Sequence, residues 1–175
     1  AAARAPQLHE RYPALAHAYE VVGNVRVRSQ ATVGGNLAEA DYASDPPAML
    51  LALDATVTAT SVSGSRSMTL EELLLGAFTT ALEPGEIITD VLLPPPSPHT
   101  RSSYQKFTSR SSEDRACVGV GAVAVMEGYV CRSLRVAVGA ACEVPTRLPD
   151  AEQIAVGQPL TDRVIQQVAD AYAQG

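Results

Sequence analysis

Five consecutive residues, Thr32-Val33-Gly34-Gly35-Asn36, carry the strongest local chemistry in the sequence. Paired glycines let backbone approach a ligand closely and reach conformations closed to other residues. Successive N–H groups in such a turn form a concave anion site suited to a phosphate or pyrophosphate, with Thr32 and Asn36 adding side-chain donors on either side. Read without a ligand, the same residues are an ordinary glycine turn. Asp45 follows in "ASDPPAML", where it reads either as a helix cap or as an acceptor for ligand hydroxyls, as an acidic residue is on a ribose. Lys106, in "YQKFTSR", reads locally as a solvated strand lysine.

Other chemistries find no support. The Gly-x-Gly-x-x-Gly of a dinucleotide fold and the Gly-Lys-Ser/Thr of a P-loop are absent. No Gly-x-Ser-x-Gly elbow occurs. His9, His17 and His99 stand apart, without carboxylate partners or metal-ligand spacing, so no metal site and no catalytic acid or base is expected. Cys117, Cys131 and Cys142 form no C-x-x-C pair. Each sits among small apolar residues and reads as a buried free thiol, and the odd count fits a reducing compartment better than a disulfide framework.

The elements that must position these residues follow from periodicity. "YPALAHAYEVV" predicts a helix with Pro13 in its first turn. "SDPPAMLLALDA" predicts another, capped by Ser44 or Asp45. "TVTATSV" predicts a strand followed by a turn at "GSR". "MTLEELLLG" predicts a short helix capped by Thr69 and stopped by Gly76, and "EIITDVLLP" an inner strand. Four prolines between Pro94 and Pro98 deny the backbone its donors, which makes this the best boundary in the chain. Beyond it "SSYQKFTS", "CVGVGAVAVMEG" and "VCRSLRVAVGAAC" predict three strands, the last two joined by a turn at Gly128. "LTDRVIQQVADAYAQ" predicts a closing amphipathic helix capped by Thr161 or Asp162. The fold class is α+β, in two parts covering residues 1–95 and 100–175.

Composition narrows the partners. The 175 residues, 46% of them hydrophobic, suffice for a real core. A net charge of -6, no Trp and no basic cluster argue against nucleic acid or an anionic membrane. No apolar run reaches a bilayer span, and the expected location is the cytoplasm.

Taken together, "VRSQATVGGNLAEADYASDPPAMLLALDATV", "LEPGEIITDVLLP" and "YQKFTSRSSEDRACVGVGAVA" resemble, in this order, the FAD-binding subunit of the molybdenum hydroxylases. That family includes the medium subunit of aerobic carbon monoxide dehydrogenases and the flavin domain of xanthine dehydrogenase. The resemblance implies the second subdomain of a PCMH-type FAD-binding fold, followed by a C-terminal domain with a three-stranded antiparallel sheet and helices. It implies that Thr32, Val33, Gly34, Gly35 and Asn36 wrap the FAD pyrophosphate, that Asp45 contacts the cofactor, and that Ile88 and Lys106 approach the flavin. It implies electron transfer between an iron–sulfur small subunit, a molybdenum-cofactor large subunit and a terminal acceptor. The preceding subdomain, whose own glycine turn completes the cradle, is expected on a separate stretch of chain, so FAD is expected in the complete protein and only weakly on these residues alone. The runner-up reading is an assembly or scaffold domain that keeps the fold and binds no flavin.

Overall fold

Proline opens the first two helices, α1 (Pro6–Arg11) and α2 (Pro13–Glu20), at the position where a missing N–H removes no bond. The computed structural model describes residues 2–175. Asn24 caps α3 (Val25–Gln30), its Oδ1 accepting from the amides of Arg26 and Val27. Next come α4 (Val33–Glu39) and α5 (Asp45–Ala52), and every residue of α5 is buried.

A small antiparallel sheet follows, from β1 (Thr56–Ser61) and β2 (Gly64–Thr69). The predicted turn at "GSR" is instead the start of β2, and the chain reverses at Val62 and Ser63 just before it. Four of β2's six residues are polar and five are exposed, so no hydrophobic alternation marks it. Thr69 then caps α6 (Leu70–Leu73) in a reciprocal box: its hydroxyl accepts from the Glu72 amide while the Glu72 carboxylate accepts from the Thr69 amide. Thr69→Ala is expected to cost about 1 kcal/mol, read as a lower urea midpoint; an unchanged midpoint would show that the box adds nothing to the fold.

The helix ends at Leu73, earlier than Gly76, because Leu74–Gly76 turns into β3 and pairs with β4 (Thr79–Thr80). β5 (Ile87–Leu92) completes the first sheet in the order β2-β1-β5. It is thus an edge strand and not the inner one predicted, with Ile87 and Leu92 exposed.

The second sheet has the order β6-β7-β8-β9, built from β6 (Thr100–Phe107), β7 (Val118–Glu127), β8 (Val130–Gly139) and the two-residue β9 (Thr146–Arg147). Gly128, at φ +59°, turns β7 into β8. The three long antiparallel strands are those the sequence predicts; β9 is a short addition. Two helices close the chain, α7 (Pro149–Gln153) and α8 (Asp162–Gln174), the second capped by the Thr161 hydroxyl.

The main core joins Leu15 of α2, Met49 and Leu50 of α5, Val57 of β1 and Leu73 of α6 to Tyr104, Val123 and Ala137 of the second sheet. Helix α5 lies directly on β7 and β8 because those strands present glycine to it. A Cβ at Gly121 would stand 3.0 Å from the Met49 Cα and 3.1 Å from the Ala48 carbonyl oxygen, and one at Gly139 3.2 Å from the Ala48 Cβ. The glycine–valine alternation of β7 is therefore a seat for a helix.

Charged pairs fasten the same junction. Asp54, just after α5, pairs with Arg135 of β8 and, at 2.9 Å, with Arg147 of β9, which also holds the buried Glu152 of α7 at 2.8 Å. Burial pushes the Glu152 carboxyl up, but Arg147 and the Val136 amide outweigh it and hold it below the usual range. Of the cysteines only Cys131 is buried, against the expectation for all three; Cys117, just before β7, and Cys142, in the bend after β8, are exposed.

Candidate cofactor-binding site

The Thr-Val-Gly-Gly-Asn stretch is the first turn of α4, not a left-handed glycine turn. Thr32 is the N-cap, its hydroxyl accepting from the Gly35 amide at 2.9 Å. Neither glycine has positive φ. They are needed for space: a Cβ at Gly34 would meet the Ile88 carbonyl oxygen at 3.1 Å, and one at Gly35 the Thr32 hydroxyl at 2.8 Å. The first amides of a helix have no intrahelical acceptor. Those of Val33 and Gly34 find no protein acceptor elsewhere among the described residues.

Asn36 donates through Nδ2 to the Ser44 hydroxyl at 2.7 Å. Its Oδ1 is buried with no partner, the one such side-chain atom among the described residues. A buried acceptor without a donor is costly. It is satisfied only when something with an N–H or O–H occupies the space before it.

Asp45 does not cap its helix. It is the first helical residue, with Ser44 at the N-cap, and Ser44 makes no capping bond because the second and third helical positions are Pro46 and Pro47, which have no N–H. Freed of that role, the buried carboxylate reaches the second sheet. Its Oδ1 accepts from the Tyr104 hydroxyl at 2.8 Å and its Oδ2 from the Lys106 ammonium at 2.9 Å. Lys106 also donates to the Val21 carbonyl at 2.9 Å. It is buried, not solvated, with 7% of its side chain exposed. Burial pushes the Asp45 carboxyl above its ordinary value, while hydrogen bonds from Lys106 and Tyr104 pull against that rise. Burial first, then Asp45, pushes the Tyr104 phenol upward as well.

These groups meet in space. Thr32, Gly35, Asn36, Asp45 and Lys106 line a cavity of about 560 Å³. Thr32 and Asn36 also line a second cavity of about 220 Å³, together with Val33 and Arg28. Gly34 and Ile88 pack on each other and line neither. Glu39, Asp41, Glu113 and Asp114 face the larger cavity, so carboxylates there outnumber cations. The larger cavity therefore offers an anion no net positive charge.

Sequence reading misses Tyr104, Ser44 and Arg115. Tyr104 precedes Lys106 by two on a strand, which puts both on one face, and Lys106 is the chain's only lysine; those two facts could have paired them. Arg115 pairs with Asp41 and lies 5.5 Å from the ring centre of Tyr42 and 6.0 Å from that of Phe78, a contact no local pattern announces. His9 and His17 both approach Glu20, at 3.6 and 3.8 Å, so they do have a carboxylate partner. No cluster of metal-ligating side chains occurs among the described residues. No described helix is long and apolar enough to cross a membrane. A separate cavity of about 540 Å³, between the second sheet and α8, is walled by Val120, Leu134, Val136 and Val168 and offers little polar chemistry.

Comparison with known proteins gives the family. Residues 1–96 match the family described as the FAD binding domain in molybdopterin dehydrogenase, and residues 102–175 match the CO dehydrogenase flavoprotein C-terminal domain. The chain is 31% identical to the glyceraldehyde dehydrogenase medium chain of Sulfolobus acidocaldarius, over 91% of this chain and 56% of that one. It is 33% identical to the 6-hydroxypseudooxynicotine dehydrogenase complex subunit alpha of Paenarthrobacter nicotinovorans, over 96% and 57%. In structure it is similar to the carbon monoxide dehydrogenase from Hydrogenophaga pseudoflava that lacks the Mo-pyranopterin moiety, with a TM-score of 0.91, 28% identity, and coverage of 97% of this chain and 58% of that one. The chain thus spans little more than half the length of these relatives.

Proposed function

This chain belongs to the FAD-binding domain family of molybdopterin dehydrogenases, and from that premise we propose that it is part of the medium, electron-transferring subunit of a molybdenum hydroxylase-type oxidoreductase. In this reading residues 1–95 supply the second FAD subdomain and residues 100–175 the C-terminal domain. Its partners are an iron–sulfur small subunit and a molybdenum-cofactor large subunit, and its place is the cytoplasm.

The observation that carries the proposal is the unsatisfied polar set at the start of α4. The free amide at Val33, which lines the smaller cavity, suits a phosphate oxygen, and the orphaned Asn36 Oδ1 suits a hydroxyl. A ligand that is phosphate and polyol at once, as FAD is, satisfies both kinds. Thr32, Val33, Gly34, Gly35 and Asn36 would hold the pyrophosphate side. Asp45 and Lys106 would form the cavity wall toward the flavin, with Ile88 seated behind α4. When bound, the flavin supplies the electron exchange, and this chain's residues fix its position and surroundings.

Titration of FAD into the protein, followed by quenching of flavin fluorescence, tests this. Asn36→Ala removes one neutral hydrogen bond, worth about 1 kcal/mol, and is expected to weaken binding by roughly fivefold. Saturable binding that Asn36→Ala leaves unchanged would move the site away from α4. Absence of saturable binding even when the preceding subdomain is supplied would instead favour a scaffold that carries no flavin.

A further inference from the structure

We propose that Tyr104 is a positioning residue of the cofactor cavity: its hydroxyl clamps the Asp45 carboxylate, which in turn holds the Lys106 ammonium as a charged, chemically quiet donor in the cavity wall. The inference rests on reading that cavity as the FAD site.

Each oxygen of the Asp45 carboxylate has one strong donor, Tyr104 on Oδ1 and Lys106 on Oδ2. Lys106 spends two of its three N–H groups on Asp45 and the Val21 carbonyl. The third has no acceptor among the described residues, and Lys106 lines the cavity. The clamp has a purpose-made space. A Cβ at Gly119, which lies opposite Lys106 on β7, would stand 2.5 Å from the Tyr104 hydroxyl oxygen, so the phenol occupies the room a side chain would take.

Removing the hydroxyl leaves Asp45 Oδ1 buried without a donor. The buried pair is then held less firmly in its charged form, since burial disfavours both charges, and a larger share of Lys106 is the neutral amine at a given pH. A neutral amine is a nucleophile and an ammonium is not. Other charged or titratable groups face this cluster: His17 of α2, with its ring centre 6.5 Å from that of Tyr104, then Glu39 of α4, Asp41 after it, and Glu113, Asp114 and Arg115 between β6 and β7. All of them remain in each variant, so a difference between variants isolates the clamp.

Because Lys106 is the only lysine, its acetylation by an N-hydroxysuccinimide ester can be followed by peptide mass spectrometry over a range of pH, with and without FAD. Wild-type protein is expected to react slowly at neutral pH, and more slowly still with FAD bound. Tyr104→Phe is expected to react at least about tenfold faster at pH 7, with its rate profile displaced by about one unit toward lower pH. Gly119→Ala keeps the phenol but takes its space and is expected to shift the profile the same way; it serves where Tyr104→Phe does not fold. A profile that stays put in a folded variant overturns the clamp, even if the melting temperature falls. A displaced profile with no protection by FAD upholds the clamp's hold on Lys106 but overturns its place in a cofactor cavity, and the functional reading of that cavity with it.

Discussion

Lys106→Met is expected to lower stability by about 3–5 kcal/mol at neutral pH, because it leaves a buried carboxylate without its counter-ion. Asp45 is held above its ordinary value in the folded protein, chiefly by burial, and Lys106 is the largest influence acting against that rise. Without the lysine the carboxyl rises further. A group raised on folding contributes stability that is present below its unfolded value, 3.8 for this carboxyl, and is lost as pH rises through the folded one. The gap between variant and wild type should therefore be small near pH 4 and reach its full size at neutral pH. Urea unfolding at both pH values measures it. A gap of equal size at the two would mean that the lysine acts through its packing and not through its charge.

Gly121→Ala is expected to cost roughly 1–3 kcal/mol through overpacking, or a fall of roughly 2–12 °C in melting temperature for a chain of this size. The new methyl would meet the backbone of Met49 and Ala48 at 3.0 to 3.2 Å. Those atoms belong to a buried helix and cannot swing aside as a side-chain tip does. Relief comes only if α5 lifts from β7. That movement draws Asp45 away from Tyr104 and Lys106, so faster acetylation of Lys106 should accompany the lower melting point. An unchanged melt would show that the seat is looser than its distances imply.

Much of this was legible in the sequence wherever a local rule decided the outcome. Pro13 opens α2, Thr69 caps α6, Gly128 turns the hairpin, and β7 and β8 follow their runs of Val, Ala and Gly. What escaped was decided at a distance or by a rule that masks another. β2 is polar because its outer surface faces solvent. The two glycines argue against a helix by propensity, yet α4 starts there because Thr32 caps it and Ile88 leaves no room for a Cβ. Asp45 resembles a cap, yet Ser44 stands at the N-cap and Asp45 is already the first helical residue. Its actual partners lie 59 and 61 residues away. No periodicity reports such a pairing.

The seat of α5 on β7 and β8 has a consequence for how this chain can be inherited and recombined. The two segments on either side of the prolines match separate families, and a splice at that point invites treating each as an interchangeable cassette. Yet Asp45 and Ala48 come from one segment, while Tyr104, Lys106, Gly121 and Gly139 come from the other. A chimera with a foreign second half must carry small residues beneath the helix and a hydroxyl and an amine for the carboxylate, or the transplanted sheet meets the wrong surface. The segments are separable on paper and matched as a pair in substance, so substitutions in either are constrained by the other.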